Sequence, residues 1–170
     1  MNPVFEPFAL PHMELKNRIA RSATHDHFEN PDDTLSKKQL YILKELAEND
    51  VGLIFTGHMY VSPEGEAMRP QISLCKDSCI PQLEKAVQEV HRYGSKLVAQ
   101  ISHAGPKATV PIPLAPSRMM LAGSSQARQM NREEIERVKK DFISAAVRVK
   151  AAGFDGVQVH ICLLYTSRCV

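Results

Sequence analysis

The sequence lacks several features that define whole classes of protein. No apolar run approaches the roughly 18 residues that a membrane-spanning helix needs. The first residues include an early glutamate and prolines where a secretory signal has a basic region and then an apolar one. We therefore expect a cytoplasmic protein that has no membrane partner.

Charge of one sign is not concentrated anywhere along the chain. The 21 basic and 19 acidic residues are spread over the whole length and give a formal net charge of +2. This distribution supplies neither a basic stripe for phosphate backbones nor an acidic tail. We therefore expect no nucleic-acid partner.

Cysteine is scarce, and its spacing carries little signal. The sequence has four, with no C-x-x-C pair among them: Cys75, Cys79, Cys162 and Cys169. Cys75 and Cys79 could supply half of a metal site, but the interpretation that we favour is reduced thiols without a special role.

What the sequence does contain is a regular alternation of strand and helix patterns. At 170 residues, 44% hydrophobic and 24% charged, the composition is that of one globular domain. Apolar runs of strand length predict strands at 18–23, 51–57, 96–102 and 156–160. Apolar residues at helical spacing predict helices at 35–50, 79–94 and 131–153.

The third predicted helix has the clearest boundaries. Asn131 and Glu134 form a pattern typical of a capping box, and Gly153 follows the last periodic residue. The predicted buried stripe consists of Ile135, Val138, Phe142, Ala145 and Val149. In the first predicted helix, Thr34 or Ser36 is the expected cap.

Strands that alternate with helices and are apolar on both faces predict a parallel sheet. Two architectures fit, an open doubly wound sheet and a (β/α)₈ barrel. A G-x-G-x-x-G turn is absent after the first strand, which disfavours a dinucleotide-binding open sheet. A barrel typically needs about 250 residues, so we expect an α/β fold that is the amino-terminal half of a TIM barrel, with about four βα units.

Polar residues follow each predicted strand, where the loops of a barrel converge on one mouth. They are Ser22, Thr24, His25 and His27 after the first strand, Thr56, Gly57 and His58 after the second, Gln100, Ser102 and His103 after the third, and His160 after the fourth. One hypothesis is that these are ordinary loop residues. Another is a metal-dependent barrel hydrolase that uses His25 and His27, although no acidic residue directly follows the later strands to complete its site.

A wider resemblance supports a third hypothesis. The segments "LKNRIARSAT" (15–24), "GLIFTGHMYVSPEGEA" (52–67), "VAQISHAG" (98–105), "APS" (115–117) and "AAGFDGVQVH" (151–160) stand in an order and spacing that resemble the old yellow enzyme family of NAD(P)H:flavin oxidoreductases. The resemblance covers residues 3 to 160. It implies an FMN-binding barrel that uses NADH or NADPH to reduce activated C=C bonds, such as those of enones, or related acceptors.

The resemblance also implies roles for individual residues. Ser22, Ala23 and Thr24 match the segment that lies against the isoalloxazine ring, with the Thr24 hydroxyl near the flavin C4 carbonyl. Gly57 matches a small residue that leaves room for the ring, and Gln100 matches an amide that pairs with the pyrimidine edge. An amide complements that edge because it both donates and accepts hydrogen bonds.

His160 matches the first of two side chains that hold the substrate oxygen over the flavin. Two such donors polarise the oxygen so that hydride adds to the β-carbon. The second donor belongs at position 163, where the sequence has Leu163, while Tyr165 stands where the family has a proton-donating tyrosine. Pro106 replaces the arginine that usually follows H-A-G, and the resemblance implies a structural role for His103.

The sequence therefore divides into two parts. Residues 1–160 are predicted to be a partial FMN-binding barrel, and residues 161–170 a non-native tail of a truncated gene. We expect an FMN-dependent oxidoreductase of small molecules, present here as an inactive fragment, and leave open a homo-oligomer of the full-length protein. Besides the hydrolase, a non-enzymatic half-barrel that dimerises is the remaining alternative.

Overall fold

The computed structural model describes residues 2–120 and 126–161. The first feature along the chain is an antiparallel hairpin of β1 (Phe8–Leu10) and β2 (Met13–Leu15). It lies at the amino end of the main sheet, where an ideal Cβ on Gly156 would stand 3.9 Å from the Met13 side chain. The sequence patterns did not predict this hairpin, because its strands have only three residues each.

The main sheet consists of four parallel strands connected through helices. In chain order the next elements are β3 (Ala20–Arg21), α1 (Lys37–Glu48), β4 (Leu53–Tyr60), α2 (Ile80–His91) and β5 (Lys96–Ser102). They are followed by β6 (Leu114–Ala115), β7 (Met119–Met120), β8 (Gln126–Gln129), α3 (Arg132–Ala151) and β9 (Gly156–His160). The sheet order is β3-β4-β5-β9, so each strand lies beside the one before it and the order never reverses. A doubly wound sheet reverses its strand order, so this arrangement favours the barrel.

The strands differ from their predicted lengths at two places. β3 has only two residues, because its pairing with β4 is limited to Ala20 and Arg21. β4 continues to Tyr60 rather than ending near Gly57, because its last residues pair with the end of β5 after an irregularity between Phe55 and His58. Gly57 and His58 therefore belong to the strand itself.

The helices cover one face of the sheet and bury the main core. Along β5, Leu97, Ala99 and Ile101 belong to this core, and the alternate residues face the opposite side. Val90 from α2 and Val149 from α3 pack into the same cluster and are almost fully buried. In the described ranges, no helix is both long and apolar enough to cross a membrane.

Helix caps confirm most of the predicted boundaries. Ser36 caps α1 in a capping box with Gln39, and Asn131 caps α3 in a capping box with Glu134. The predicted buried stripe of α3 is wrong at Ile135, which is 43% exposed in the first turn of the helix.

Lys16 connects the amino-terminal hairpin to the carboxyl ends of two helices. Its Nζ donates to the carbonyl oxygens of Ala47 and Tyr93, at 3.2 and 2.9 Å, and lies 3.1 Å from Asp50 Oδ1. A cation at this position adds a bond to carbonyls at the helix ends and complements the helix dipoles. One side chain therefore fixes the start of the chain to α1 and α2.

A second small sheet occupies the segment between β5 and α3, for which the sequence patterns predicted no element. β8 lies between β6 and β7, with β6 parallel to it and β7 antiparallel. The segment closes against α3, whose capping residue Glu134 also pairs with Arg128 of β8 at 2.9 Å.

Candidate active site

The carboxyl ends of the parallel strands bring the selected polar residues to one edge of the sheet. His58 pairs in register with Gln100, and Ser102 pairs with His160. Gly57 lies against the segment that follows β3, with its ideal Cβ position 2.9 Å from the Thr24 carbonyl oxygen. The structure thus brings Thr24, Gly57, Gln100 and His160 to this edge, while their roles stay predictions.

Two other histidines, His12 and His91, lie away from this edge. His12 is exposed in the turn between β1 and β2. His91 ends α2, where its Nε2 lies 2.7 Å from Asp155 Oδ2, just before the amino end of β9. Neither belongs to the edge that collects the candidate site residues.

The segment after β3 presents backbone and hydroxyl groups to this edge. Ser22 and Thr24 are exposed, and Ala23 is partly buried. The Thr24 hydroxyl donates to the Ser22 carbonyl oxygen at 3.2 Å. Because this is a local bond at an exposed position, the hydroxyl can turn to another acceptor that binds beside it.

The packing of the backbone around position 57 explains why the residue there is glycine, which the sequence alone did not reveal. Besides the close approach to the Thr24 carbonyl oxygen, its ideal Cβ would lie 3.4 Å from His25 Cα. A side chain here would press on backbone, which is costly to displace. The chain's own packing therefore requires glycine at this position, whether or not a ligand also passes close to it.

Gln100 forms a side-chain pair with Gln158, which the sequence analysis did not single out. The Gln100 Nε2 donates to Gln158 Oε1 at 2.7 Å. Among the described residues, no group bonds to the side-chain oxygen of Gln100 or to the side-chain nitrogen of Gln158. The pair therefore offers both hydrogen-bond donors and an acceptor, the combination that an amide-like ring edge requires. The sequence feature that points to Gln158 is the alternation of side chains along a strand, which puts Gln158 on the same face as His160.

Four histidine rings lie close together at the same edge. The ring centres of His25 and His27 are 4.3 Å apart, those of His25 and His58 are 5.0 Å apart, and those of His58 and His160 are 6.3 Å apart. Burial, followed by the neighbouring rings of His25, His160 and His27, lowers the pKa of His58 to about 4. His58 is therefore neutral at physiological pH.

His25 is enclosed on the far side of this cluster. Its Nδ1 lies 3.5 Å from Glu29 Oε1, which is within ion-pair distance. The contact lacks hydrogen-bond geometry, however, and neither ring nitrogen of His25 has a hydrogen-bond partner in the described residues. We regard it as a close approach of two buried polar groups rather than a formed bond.

The hypothesis of a metal-dependent hydrolase is not supported. Within residues 2–120 and 126–161, no group of three His, Cys, Asp or Glu side chains has an arrangement that could hold a metal ion. Cys75 and Cys79 are free thiols, and burial raises the pKa of each. Cys162, Leu163, Tyr165 and Cys169 lie outside the described residues.

His103 is packed as a structural residue. It is fully buried, its Nδ1 accepts a hydrogen bond from the Gly105 amide at 3.0 Å, and burial lowers its pKa to about 4. Gly65 makes room for the ring, because an ideal Cβ there would stand 2.6 Å from the ring carbon Cδ2. This environment agrees with the structural role that the resemblance implied.

The sequence matches the NADH:flavin oxidoreductase / NADH oxidase family over residues 3–165. The chain belongs to this family. Its members use a flavin, FMN, with NADH or NADPH, so the predicted family and cofactors are confirmed.

Individual relatives agree with this assignment. The chain is 36% identical over 165 residues to a probable NADH-dependent flavin oxidoreductase of Bacillus subtilis (strain 168), covering 93% of this chain and 44% of that protein. The crystal structure of Old Yellow Enzyme from Pichia sp. AKU4542 superposes with a TM-score of 0.87 at 28% identity, over 94% of this chain and 46% of that one. A 2-naphthoyl-CoA reductase superposes with a TM-score of 0.86 at 25% identity, over 92% of this chain and 27% of that one.

The chain therefore spans less than half the length of these relatives. Old yellow enzymes are (β/α)₈ barrels, and the described strands and helices superpose on about half of such a barrel. The predicted fold class, the amino-terminal half of a TIM barrel, is confirmed.

Proposed function

We propose that the full-length protein is an FMN-dependent oxidoreductase that uses NADH or NADPH to reduce activated C=C bonds, such as those of enones, or related acceptors. The observation that carries this proposal is the set of polar residues at one edge of the sheet, with the Gln100–Gln158 pair beside His160. Family membership supports the same reaction class.

The donors and acceptors of this edge fit the ring system of a flavin. Gln100, held by Gln158, would pair with the pyrimidine edge, and the Thr24 hydroxyl would donate to a ring carbonyl. Ser22 and Ala23 would lie against the ring, next to the backbone that Gly57 allows to approach. When bound, FMN supplies hydride transfer, accepting a hydride from NADH or NADPH and passing one to the acceptor.

His160 is proposed to act on the substrate. It is partly buried at the end of β9, and no described residue forms a hydrogen bond with its ring. An imidazole N–H directed at the carbonyl or nitro oxygen of the substrate would stabilise the negative charge that develops there. We assign His160 this catalytic role.

The test uses the full-length protein purified in native buffer. We expect a yellow protein with stoichiometric FMN that, in the absence of oxygen, oxidises NADH or NADPH only when an enone such as 2-cyclohexenone is present as the electron acceptor. His160→Ala should lower kcat/KM by about a hundredfold at unchanged FMN content, because it removes one oxyanion-type donor. Gln100→Leu should instead weaken FMN binding by about tenfold, because it removes a hydrogen bond to the ring.

A colourless protein that carries stoichiometric zinc would overturn the flavin proposal and restore the hydrolase alternative. We further propose that the 170-residue chain alone does not catalyse the reaction, because the family resemblance places the FMN phosphate site in the half of the barrel that this chain does not span.

A further inference from the structure

Gln100 and Gln158 face each other directly across two neighbouring strands. They are register partners in the parallel pair of β5 and β9, so both side chains leave the same face of the sheet. The side chains share one hydrogen bond of 2.7 Å, and the backbone amide of Gln100 donates separately to the Thr56 hydroxyl at 3.1 Å. The backbone of Gln100 is therefore held by its own contacts, and the orientation of its side-chain amide depends on Gln158.

No other contact in the part of the chain that the structure describes decides which of the two amides donates. If both amides turn by 180°, Gln158 becomes the donor and Gln100 the acceptor, and the pair still has one N–H···O bond. What changes is the position of the unbonded side-chain oxygen, which moves from Gln100 to Gln158. The pair therefore has two arrangements that no described contact distinguishes.

Gln71 shows what a fixed amide looks like in the same molecule. Its side chain is fully buried, its Oε1 accepts from the Ala67 amide at 2.8 Å, and its Nε2 donates to the His58 carbonyl oxygen at 2.9 Å. Reversing this amide would place oxygen against oxygen and nitrogen against an N–H. Gln71 is therefore restricted to one orientation, whereas the exposed Gln100–Gln158 pair is not.

A ligand that suits such a pair is a ring edge that changes its protonation. A ring nitrogen accepts a hydrogen bond when it is unprotonated and donates one when it is protonated, so it needs a different partner in each state. Two-electron reduction of a flavin adds a proton or a negative charge at the pyrimidine edge of the ring. A fixed amide would match one of these states, and a pair that turns over would match both.

We propose that Gln158 is a positioning residue for Gln100, and that the two amides turn over together to match the oxidised or the reduced ring of a bound flavin. This inference rests on the proposed function and deepens it, because it names the residue that sets the orientation of a cofactor contact. Gln158 acts through its hydrogen bond to Gln100.

Neutron diffraction on crystals of the perdeuterated 170-residue chain tests the pair without any ligand, because deuterium distinguishes an amide nitrogen from an oxygen. We expect both arrangements of Gln100 and Gln158 to be occupied, and a single orientation of Gln71 in the same crystal. Gln158→Glu, whose carboxylate has no N–H, should leave only the arrangement in which Gln100 donates. A single arrangement of the pair in the unmodified chain would overturn the proposal.

Binding of FMN to the full-length protein tests the positioning role. Gln158→Met, which has a similar length but no amide, should raise the Kd of oxidised FMN by about fivefold, because Gln100 loses the bond that orients it. The urea midpoint should stay the same, since Gln158 is exposed. A change in the urea midpoint without a change in the Kd would show that Gln158 is merely structural.

The midpoint potential of bound FMN tests the turning over, because its difference from that of free FMN gives the ratio of the Kd values for oxidised and reduced FMN. Gln158→Glu permits one arrangement only, so this ratio should change by about fivefold or more. Val159→Glu, which places the same charge on the opposite face of β9, is the control and should leave the ratio nearly unchanged. Equal ratios in Gln158→Glu and the unmodified protein would contradict the proposal.

The two proposals fail in different measurements. If the full-length protein carries FMN and reduces an enone while Gln158→Met binds FMN as tightly as the unmodified protein does, the positioning role is disproved and the proposed function stands. If the full-length protein binds no flavin, the proposed function fails, and two arrangements in the neutron structure would still support the paired amides.

Discussion

A histidine that is closed off from water links the stability of the fold to pH. His103 is fully buried, and its pKa of about 4 lies below the ordinary value of 6.5. Above pH 6.5, His103 is neutral in both the folded and the unfolded chain, and the fold has its full stability. As the pH falls toward 4, the fold loses stability, because only the unfolded chain takes up a proton at His103. The free energy of unfolding falls by at most about 3 kcal/mol from this effect. The lowered pKa of His58 changes stability with pH in the same direction.

Urea unfolding at pH 7 and pH 4.5 would measure this effect. His103→Gln should have a lower free energy of unfolding than the unmodified chain at pH 7. Between pH 7 and pH 4.5, however, that free energy should fall by about 2 kcal/mol less in the variant than in the unmodified chain. His12→Gln, at an exposed turn, should keep the full pH dependence. Equal pH dependence in His103→Gln and the unmodified chain would show that His103 does not titrate in this range.

At the residue scale, the sequence revealed those site residues that stand at the ends of apolar runs. Gln100 and His160 could be selected in this way, because a polar residue that ends a buried strand needs a partner. Gln71, whose side-chain Nε2 lies 2.9 Å from His58 Nδ1, could not be selected from the sequence. It lies in a loop 13 residues further along the chain, and only the fold brings the two side chains together. Alternation along β9 places Gln158 on the face of His160, but its pairing with Gln100 depends on the register of β9 against β5, which the sequence does not specify.

At the scale of single elements, the cap of α3 provides a simple test. The Asn131 side chain accepts from the Glu134 amide at 2.8 Å, and the Glu134 carboxylate accepts from the Asn131 amide at 2.8 Å. Asn131→Ala should lower the free energy of unfolding by about 1 kcal/mol, because it leaves a helix N–H unpaired. Thermal or urea unfolding gives the value, and Lys140→Ala, at an exposed position inside the helix, is the matched control that should change it by less than about 0.5 kcal/mol.

Elements with many local signals were predicted well, and short elements were not. β5 was predicted at the residues where it occurs, because its apolar run is bounded by polar residues on both sides. The helices were found from spacing and caps. The two-residue strands β6 and β7 exist only through pairing with β8, which is a contact between segments that no local pattern encodes.

At the scale of the whole molecule, the described half-barrel exposes apolar side chains on α3 and on the edge strand β9. Ile143 and Val147 on α3 are 63% and 61% exposed, and Val159 on the edge strand β9 is 51% exposed. Open strand edges beside exposed apolar groups favour association. We therefore expect the 170-residue chain to self-associate.

Analytical ultracentrifugation would test this expectation. The chain should sediment as dimers or larger species at micromolar concentration, and the double substitution Ile143→Glu and Val147→Glu should shift it toward the monomer. Tyr41→Glu, at an exposed position on α1, is the control and should leave the distribution unchanged. A monomeric unmodified chain would refute the expectation.

The anchor that Lys16 provides has a consequence for the order of events on the ribosome. Lys16 bonds to the carbonyl oxygen of Tyr93, which lies 77 positions further along the chain. At roughly 5 to 20 residues per second, translation adds those positions in about 4 to 15 s. The hairpin is therefore made several seconds before the Tyr93 carbonyl that helps to anchor it, and during that interval its apolar residues are available to chaperones.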